Sequence, residues 1–225
     1  MVSNYYTHLR LDVLEHVPLD VCNVLSVGCG AGVSEARLVE KGIDVTGIEL
    51  DHDASQLARS NGLTVIEADA ENDQMNFGNK MFDCLIYADV LEHFVDPVRV
   101  LRSHVAHLRP GGTVIISVPN FRYYEVLWQL VIRGHVKYID AGILDRTHLR
   151  ITTRRMVVDW LSQVGLGSVS CTYNISRRRD KIFSAACMYL AKEFIAKQVI
   201  VVGSNQYGEN SVTPRRQHAT QEVRD

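Results

Sequence analysis

The sequence predicts an α/β fold built on a doubly wound, mostly parallel sheet, and three observations predict it. Short runs rich in Val, Ile and Leu near residues 23–28, 44–49, 63–67, 83–88 and 113–118 alternate with segments of helical spacing, the pattern of a parallel sheet covered on both faces. The first run breaks into Gly28, Gly30 and Gly32, alternating glycines at a strand-to-helix turn. The second run ends in an acid, Glu49, about 20 residues further on.

Taken in order, residues 5–17 carry Leu9, Val13, Leu14 and Val17 at helical spacing, and Pro18 ends the pattern. Val-Leu-Ser-Val-Gly-Cys-Gly-Ala-Gly at 24–32 then reads as a buried strand entering a turn. Glycine tolerates φ > 0 there and lets a ligand approach the backbone, while residues 33–41 read as a helix whose N-terminus faces that ligand. Glu49 closes the run Val45-Thr-Gly-Ile48, where a carboxylate can grip both hydroxyls of a ribose, so a ribose-bearing cofactor is implied. The dinucleotide fingerprint asks for Gly or Ala where this chain has Val33, and the glycines alone do not name the cofactor.

Asp96 and Pro97 form an N-cap and N1 pair for a helix running to Leu108, with Gly111 and Gly112 punctuating its exit into the strand at 113–118. After Pro119 the alternation stops. Residues 121–133 are an amphipathic helix candidate, and 134–150 are a polar connection containing Gly134 and Gly142. An insertion directly after a strand's C-terminal end lies where open α/β sheets bind ligands, so 119–150 is expected to form a substrate-side lid. Thr152 or Thr153 caps a helix to Gln163, with Gly165 at its C′ position. A strand at 167–175, a helix at 181–196 and a strand at 197–203 complete a single domain over 1–203, and the polar, aperiodic segment 204–225 is expected to be a disordered tail.

With 225 residues and 46% hydrophobic content, the chain can bury one sizeable core. A net charge of −2 argues against a dedicated nucleic-acid binder, which presents a strongly basic face. Cys22, Cys29, Cys84, Cys171 and Cys187 show no C-x-x-C spacing and read as reduced thiols, consistent with a cytoplasmic protein. The polar N-terminus has no signal-peptide pattern, and no apolar run reaches the ~20 residues that span a bilayer.

Five segments in order resemble the class I S-adenosylmethionine-dependent methyltransferases: 24–32 as above, Val-Thr-Gly-Ile-Glu-Leu-Asp at 45–51, Glu-Ala-Asp-Ala-Glu at 67–71, Phe-Asp-Cys-Leu-Ile-Tyr-Ala-Asp-Val-Leu-Glu-His at 82–93, and Leu-Arg-Pro-Gly-Gly-Thr-Val-Ile-Ile-Ser-Val-Pro-Asn at 108–120. The resemblance covers nearly all of the chain up to Gly203. It implies a Rossmann-like, doubly wound, seven-stranded sheet, mostly parallel with the last strand antiparallel, and S-adenosylmethionine as cofactor. It assigns the turn Gly28, Cys29, Gly30 and Gly32 to the methionine part of the cofactor, Glu49 with Leu50 to the ribose side, Asp69 and Ala70 to the adenine edge, and Tyr87, Ala88 and Asp89 to a wall near the sulfonium. Ser26 departs from the acid more often found at the head of the glycine motif. The absence of a basic phosphate clamp beside the glycines agrees with a cofactor that carries a sulfonium and no phosphate.

A narrower resemblance runs through Val-Pro-Asn-Phe-Arg at 118–122 and Gly-Ile-Leu-Asp-Arg-Thr-His-Leu-Arg-Ile-Thr-Thr at 142–153, which look like the subgroup associated with bacterial glycosyltransferases and cell-surface polysaccharide biosynthesis. That subgroup commonly has two phenylalanines where Ile151 and Thr152 stand. The resemblance implies O-methylation of a sugar or glycan intermediate. The alternatives are another small molecule, such as a quinone precursor or secondary metabolite, and a non-catalytic cofactor-binding module. On the enzyme reading His148 is the general base and Asp145 its orienting partner; on the other, His148 pins the insertion through hydrogen bonds. His93 shapes the cofactor loop or takes part in catalysis. Tyr123, Tyr124 and Arg146 are offered as substrate-binding residues, with core or dimer packing as the alternative for aromatics at helical spacing, Trp128 included. Tyr5, Tyr6 and Arg10 either reach the ligand or pack the leading helix on the domain. His8, His16, His52, His104, His107, His135 and His218 show no clustered ligand spacing, and no metal site is expected. The basic run Arg177 to Arg179 with Lys181 reads as a solvated face, or as a peripheral contact with an anionic membrane surface.

Overall fold

The computed structural model describes residues 9–175 and 192–204. Seven strands form one sheet: β1 (Asn23–Val27), β2 (Asp44–Glu49), β3 (Thr64–Glu67), β4 (Phe82–Ala88), β5 (Leu108–Pro119), β6 (Gly167–Asn174) and β7 (Gln198–Ser204). Their lateral order is β3-β2-β1-β4-β5-β7-β6. The pairs from β3 to β5 are parallel, and β7 runs antiparallel to both β5 and β6, so β7 alone is reversed. This is the seven-stranded, mostly parallel sheet with a reversed last strand that the sequence resemblance implies.

Apolar runs become central strands here because both sheet faces are covered. Along β1, β4 and β5, Leu25, Leu85, Tyr87, Val114 and Ile116 face one core, together with Val100, Leu101, Val157 and Leu161 from the covering helices. Their neighbours Val24, Cys84, Ile86 and Ile115 face the other core, against Val13, Leu38, Ala58 and Leu63. The period-two alternation of a strand thus assigns each residue to its layer.

Among the described residues the helices are α1 (Leu11–Leu14), α2 (Ala36–Val39), α3 (His52–Ser60), α4 (Pro97–Val105), α5 (Tyr124–Val131), α6 (Arg154–Gln163) and α7 (Lys192–Ile195), with a 3₁₀ turn at Leu91–His93. Side-chain caps start three of them. Asp51 accepts from Ala54 N at 2.8 Å, Asp96 from Arg99 N at 3.0 Å and Thr153 from Met156 N at 3.4 Å. Thr153, not Thr152, is therefore the α6 cap; Thr152 is buried and its hydroxyl donates to Pro119 O.

Several boundaries differ from expectation. The leading helix is regular only over α1, and its predicted start at residue 5 lies outside the described residues. The helix expected over 33–41 is regular only over α2, because i→i−3 bonds (Leu38 N to Glu35 O, 2.8 Å) mix with i→i−4 bonds (Ala36 N to Gly32 O, 2.8 Å) where it tightens on the glycine turn. Gly111 and Gly112 do not separate helix from strand. They lie inside β5, where the pairing jumps from Phe82↔Leu108 to Cys84↔Thr113. Gly111 adopts φ 77°, and a Cβ on Gly112 would stand 2.6 Å from Leu108 Cδ1, so this bulge needs both glycines.

The insertion after β5 has a small core of its own, with Tyr123, Val126 and Leu144 buried together. Asn120 ties it to the end of the chain, donating to Glu193 O at 2.7 Å and Ala196 O at 2.9 Å. Among the described residues, no helix is long and apolar enough to cross a membrane.

Candidate functional site

The C-terminal ends of β1, β2, β4 and β5 lie side by side because these strands are parallel neighbours, and most of the candidate residues gather at that edge. Gly28, Gly30 and Gly32 adopt φ of 68°, 54° and 69°, the left-handed conformations that favour glycine. The turn is fastened to β2 by Gly28 N donating to Ile48 O at 2.8 Å and Gly30 N donating to Glu49 Oε2 at 2.8 Å. Glu49 Oε1 accepts from Asp51 N at 2.9 Å. A carboxylate has about four lone-pair directions, so two accepted bonds leave room for two more donors. Leu50 beside it is 69% exposed.

Cys29 is buried rather than presented to a ligand. Its Sγ stands 2.5 Å from where a Cβ on Gly47 would be, so Gly47 is the space that the thiol fills. The acid missing at Ser26 is supplied from elsewhere: the Ser26 hydroxyl donates to Glu35 Oε1 at 2.7 Å, beneath the glycine turn. Burial pushes the Glu35 carboxyl pKa up, which the Ser26 hydrogen bond opposes. Sequence reasoning passed over Glu35; its place one helical turn after the glycines was the available signal.

Asp69 accepts from Glu71 N at 2.8 Å, Asn72 N at 3.2 Å and Asn72 Nδ2 at 2.8 Å, closing a local turn after β3. The Asn72 hydrogen bond holds its carboxyl below the usual range. Ala70 packs partly against the larger core.

At the end of β4, Tyr87 does not wall the cofactor with its side chain. It lies between Val27 and Ile116, fully buried, with its hydroxyl 3.0 Å from His104 Nδ1 of α4. The period of the strand turns it away from the face that Glu49 and the glycines occupy. Ala88 is half-buried, and Asp89 has φ 56°. The Asp89 carboxylate accepts from Arg10, from Ser117 Oγ at 3.1 Å and from Gln198 Nε2 at 2.9 Å. Arg10 also donates to Ser117 Oγ at 2.8 Å and Asp12 Oδ1 at 2.9 Å. Arg10 thus joins the segment before α1 to the tips of β4 and β5. Burial raises the Asp89 carboxyl pKa, and the Arg10 charge opposes it.

One turn beyond Asp89, Glu92 is 1% exposed and its Oε2 has no hydrogen-bond partner. Its backbone carbonyl accepts from Leu149 N at 2.9 Å and Arg150 N at 3.0 Å, which brings the insertion down onto this turn. His148 Nε2 then lies 3.9 Å from Glu92 Oε1, and the His93 and His148 rings meet edge to face at 4.8 Å. His148 Nδ1 is 3.1 Å from Ile143 O and His93 Nδ1 is 3.2 Å from Thr147 O. A carbonyl only accepts, so both Nδ1 atoms act as donors here. Burial drives the Glu92 pKa well above its usual value, and burial with the neighbouring His148 lowers that of His93.

Asp145 does not orient His148. Its Oδ1 accepts from Thr147 N at 2.8 Å and Thr147 Oγ1 at 2.7 Å, and the ring is set by Ile143 O instead. Burial alone would raise the Asp145 pKa; the two Thr147 bonds outweigh it and the pKa is lowered. Of the substrate candidates, Tyr123 is a core residue of the insertion, Tyr124 is half-buried with its hydroxyl on Glu125, and Arg146 pairs with Asp140 at 2.8 Å on the surface. Trp128 is exposed on α5, and Cys84 is buried. Tyr5, Tyr6, His8, the run Arg177 to Arg179, Lys181, Cys187 and the tail from 205 lie outside the described residues.

The Glu92, His93 and His148 grouping was hidden in sequence because His148 lies in a different loop. The signal was positional: the first two follow the C-terminal end of β4 and the third follows that of β5, its parallel neighbour.

Compared with known proteins, residues 10–157 match the family model described as "Methionine biosynthesis protein MetW". A "Ubiquinone biosynthesis O-methyltransferase" of Vibrio parahaemolyticus serotype O3:K6 is 32% identical over 160 residues, 67% of each chain. One of the same name from Vibrio vulnificus (strain YJ016) is 32% identical over 114 residues, 48% of each chain, so the chain spans about half the length of the first such relatives. The crystal structure of an S-adenosylmethionine dependent methyltransferase from Mesorhizobium loti superposes with a TM-score of 0.60 at 16% identity, over 86% of this chain and 96% of the other. That last likeness is one of fold.

Proposed function

Since the chain belongs to the family described as methionine biosynthesis protein MetW, we propose from that premise that it is an S-adenosylmethionine-dependent methyltransferase acting on an oxygen of a small molecule. The observation that carries this reading is the fastening of the left-handed glycine turn to Glu49, which keeps two acceptor directions in hand at the end of β2. Together they suit a cofactor with a ribose and a cationic sulfonium, and among the described residues no Lys or Arg bonds the glycine turn as a phosphate clamp would. Glu49 holds the ribose hydroxyls, Leu50 and the Asp69–Ala70 turn flank the base, and the backbone from Ala88 to Asp89 borders the methionine end.

When bound, this cofactor supplies a methyl carbon activated by positive sulfur. The protein's part is to align an acceptor hydroxyl and take its proton. The cluster of Glu92, His93 and His148 lies just beyond Asp89, at the strand edge where the acceptor hydroxyl must lose its proton. Asp145 holds the loop that presents His148, through Thr147.

A small-molecule hydroxyl is favoured over a glycan by the names of the relatives, ubiquinone biosynthesis O-methyltransferases, while the sugar reading rests on the 118–153 segments alone. Calorimetric titration with S-adenosylmethionine, S-adenosylhomocysteine and NAD tests the cofactor. Saturable binding of the first two supports the reading, and binding of NAD alone overturns it. Methyl transfer to a panel of hydroxylated quinone precursors and monosaccharides then decides the acceptor class, and cofactor binding without turnover on the panel would favour a non-catalytic module.

A further inference from the structure

We propose that Glu92, His93 and His148 form a binding site for a divalent transition-metal cation. Among the described residues this is the one cluster of potential ligands, with one ligand atom from each lying within 4.8 Å of the others. Metal–ligand bonds of about 2.0–2.2 Å place neighbouring ligand atoms about 3–3.6 Å apart, so the observed spacing closes around an ion through small side-chain rotations.

Three independent features point to a ligand. Glu92 is almost wholly buried, yet its Oε2 has no hydrogen-bond partner, and a buried carboxylate oxygen left so is costly unless an ion or polar atom completes it. Both histidines have Nδ1 on backbone carbonyls, Ile143 O and Thr147 O, the kind of outer bond that fixes the ring of a histidine metal ligand, and His148 Nε2 faces Glu92 Oε1 at 3.9 Å. The frame is also pre-set, because the Glu92 carbonyl holds Leu149 N and Arg150 N and so ties both ligand-bearing loops together.

Two imidazoles and one carboxylate suit zinc, iron or manganese better than magnesium or calcium, which prefer all-oxygen sets. Three protein ligands leave coordination positions open. The place of the site beside the end of β4 gives the ion a task, and that task, unlike the site, rests on the methyltransferase reading above. An acceptor hydroxyl bound to the cation has its pKa lowered, its O–H proton leaves to water, and the oxygen's electron pair attacks the methyl carbon as the carbon–sulfur bond breaks, its electrons going to the sulfur of the departing S-adenosylhomocysteine. His148 Nε2 is then spent on the cation, and His148 is a ligand rather than the base.

The test is calorimetric titration of the chelator-stripped full chain with Zn²⁺, Mn²⁺ and Mg²⁺, without S-adenosylmethionine, for wild type, His93→Ala, His148→Ala and Glu92→Gln. One equivalent of Zn²⁺ or Mn²⁺ is expected, with Mg²⁺ weaker, and affinity is expected to fall by about 100-fold or more in either histidine variant. X-ray absorption of the Zn²⁺-loaded wild type, which needs no variant to fold, should report two imidazole ligands. No saturable binding, binding indifferent to all three substitutions, or a zinc spectrum without imidazole would overturn the proposal. Metal binding by a chain that ignores S-adenosylmethionine would leave the site standing and overturn the methyltransferase reading; the reverse result would overturn the site alone.

Discussion

The guanidinium of Arg10 lies against the carboxylate of Asp89, the one non-glycine residue with positive φ among those described, and both groups share the hydroxyl of Ser117. Left-handed backbone costs a non-glycine residue of order 1 kcal/mol, and Asp pays less than most because its side chain bonds locally. Here the pair holds that strained turn open at the strand edge where the glycine turn and Glu49 also lie.

Arg10→Met should therefore destabilise the fold by about 1.5–3 kcal/mol, since it removes a charged partner from a carboxylate that stays partly buried. Arg10→Met with Asp89→Asn should recover part of the loss. Urea unfolding of the single and double variants measures the coupling, and additive effects would show that the pair contributes nothing of its own.

Gly28→Ala should be destabilising for two separable reasons. The residue has φ 68°, and its new Cβ would meet Val90 Cγ2 at 2.8 Å. Adding Val90→Ala removes the Cγ2 contact but leaves the residue 90 Cβ at 3.1 Å and the backbone unchanged, so the double variant should keep a deficit of about 1 kcal/mol or more relative to Val90→Ala alone. Equal stability of those two proteins would argue against the left-handed turn.

Glu49→Ala should weaken S-adenosylmethionine binding by about 1–3 kcal/mol, because it removes the ribose acceptor and also frees the Gly30 and Asp51 amides. Calorimetry on the folded variant reads this directly. Unchanged affinity would place the ribose elsewhere.

His104 sets a pH dependence. Burial lowers its pKa from 6.5 to about 4, so between those values the unfolded chain binds the proton and the folded one does not. Stability from this group is complete above about pH 6.5 and falls toward pH 4, by up to about 1.4 kcal/mol per pH unit. His104→Gln should flatten that limb in unfolding curves taken from pH 7 to pH 4.5. Parallel limbs for the two proteins would mean that His104 titrates normally.

The sequence by itself determined the alternation, the central strands, the glycine turn with Glu49, the cap at Asp96, and the breaks at Gly165 and Pro119, because each rests on short-range rules of periodicity, steric freedom and capping; between Thr152 and Thr153 as the α6 cap it left the choice to the structure. Only the tertiary structure decided where the side chains at the end of β4 go: Tyr87 packs inward on His104, and the left-handed turn at Asp89, one residue past the strand, sends its carboxylate to Arg10. It also decided that Asp145 serves Thr147, that Glu35 stands under Ser26, and that His148 comes to rest beside Glu92 and His93. Those contacts join residues brought together by parallel strands and by loops returning to the same edge, and a polar contact of that kind leaves no periodic trace along the chain.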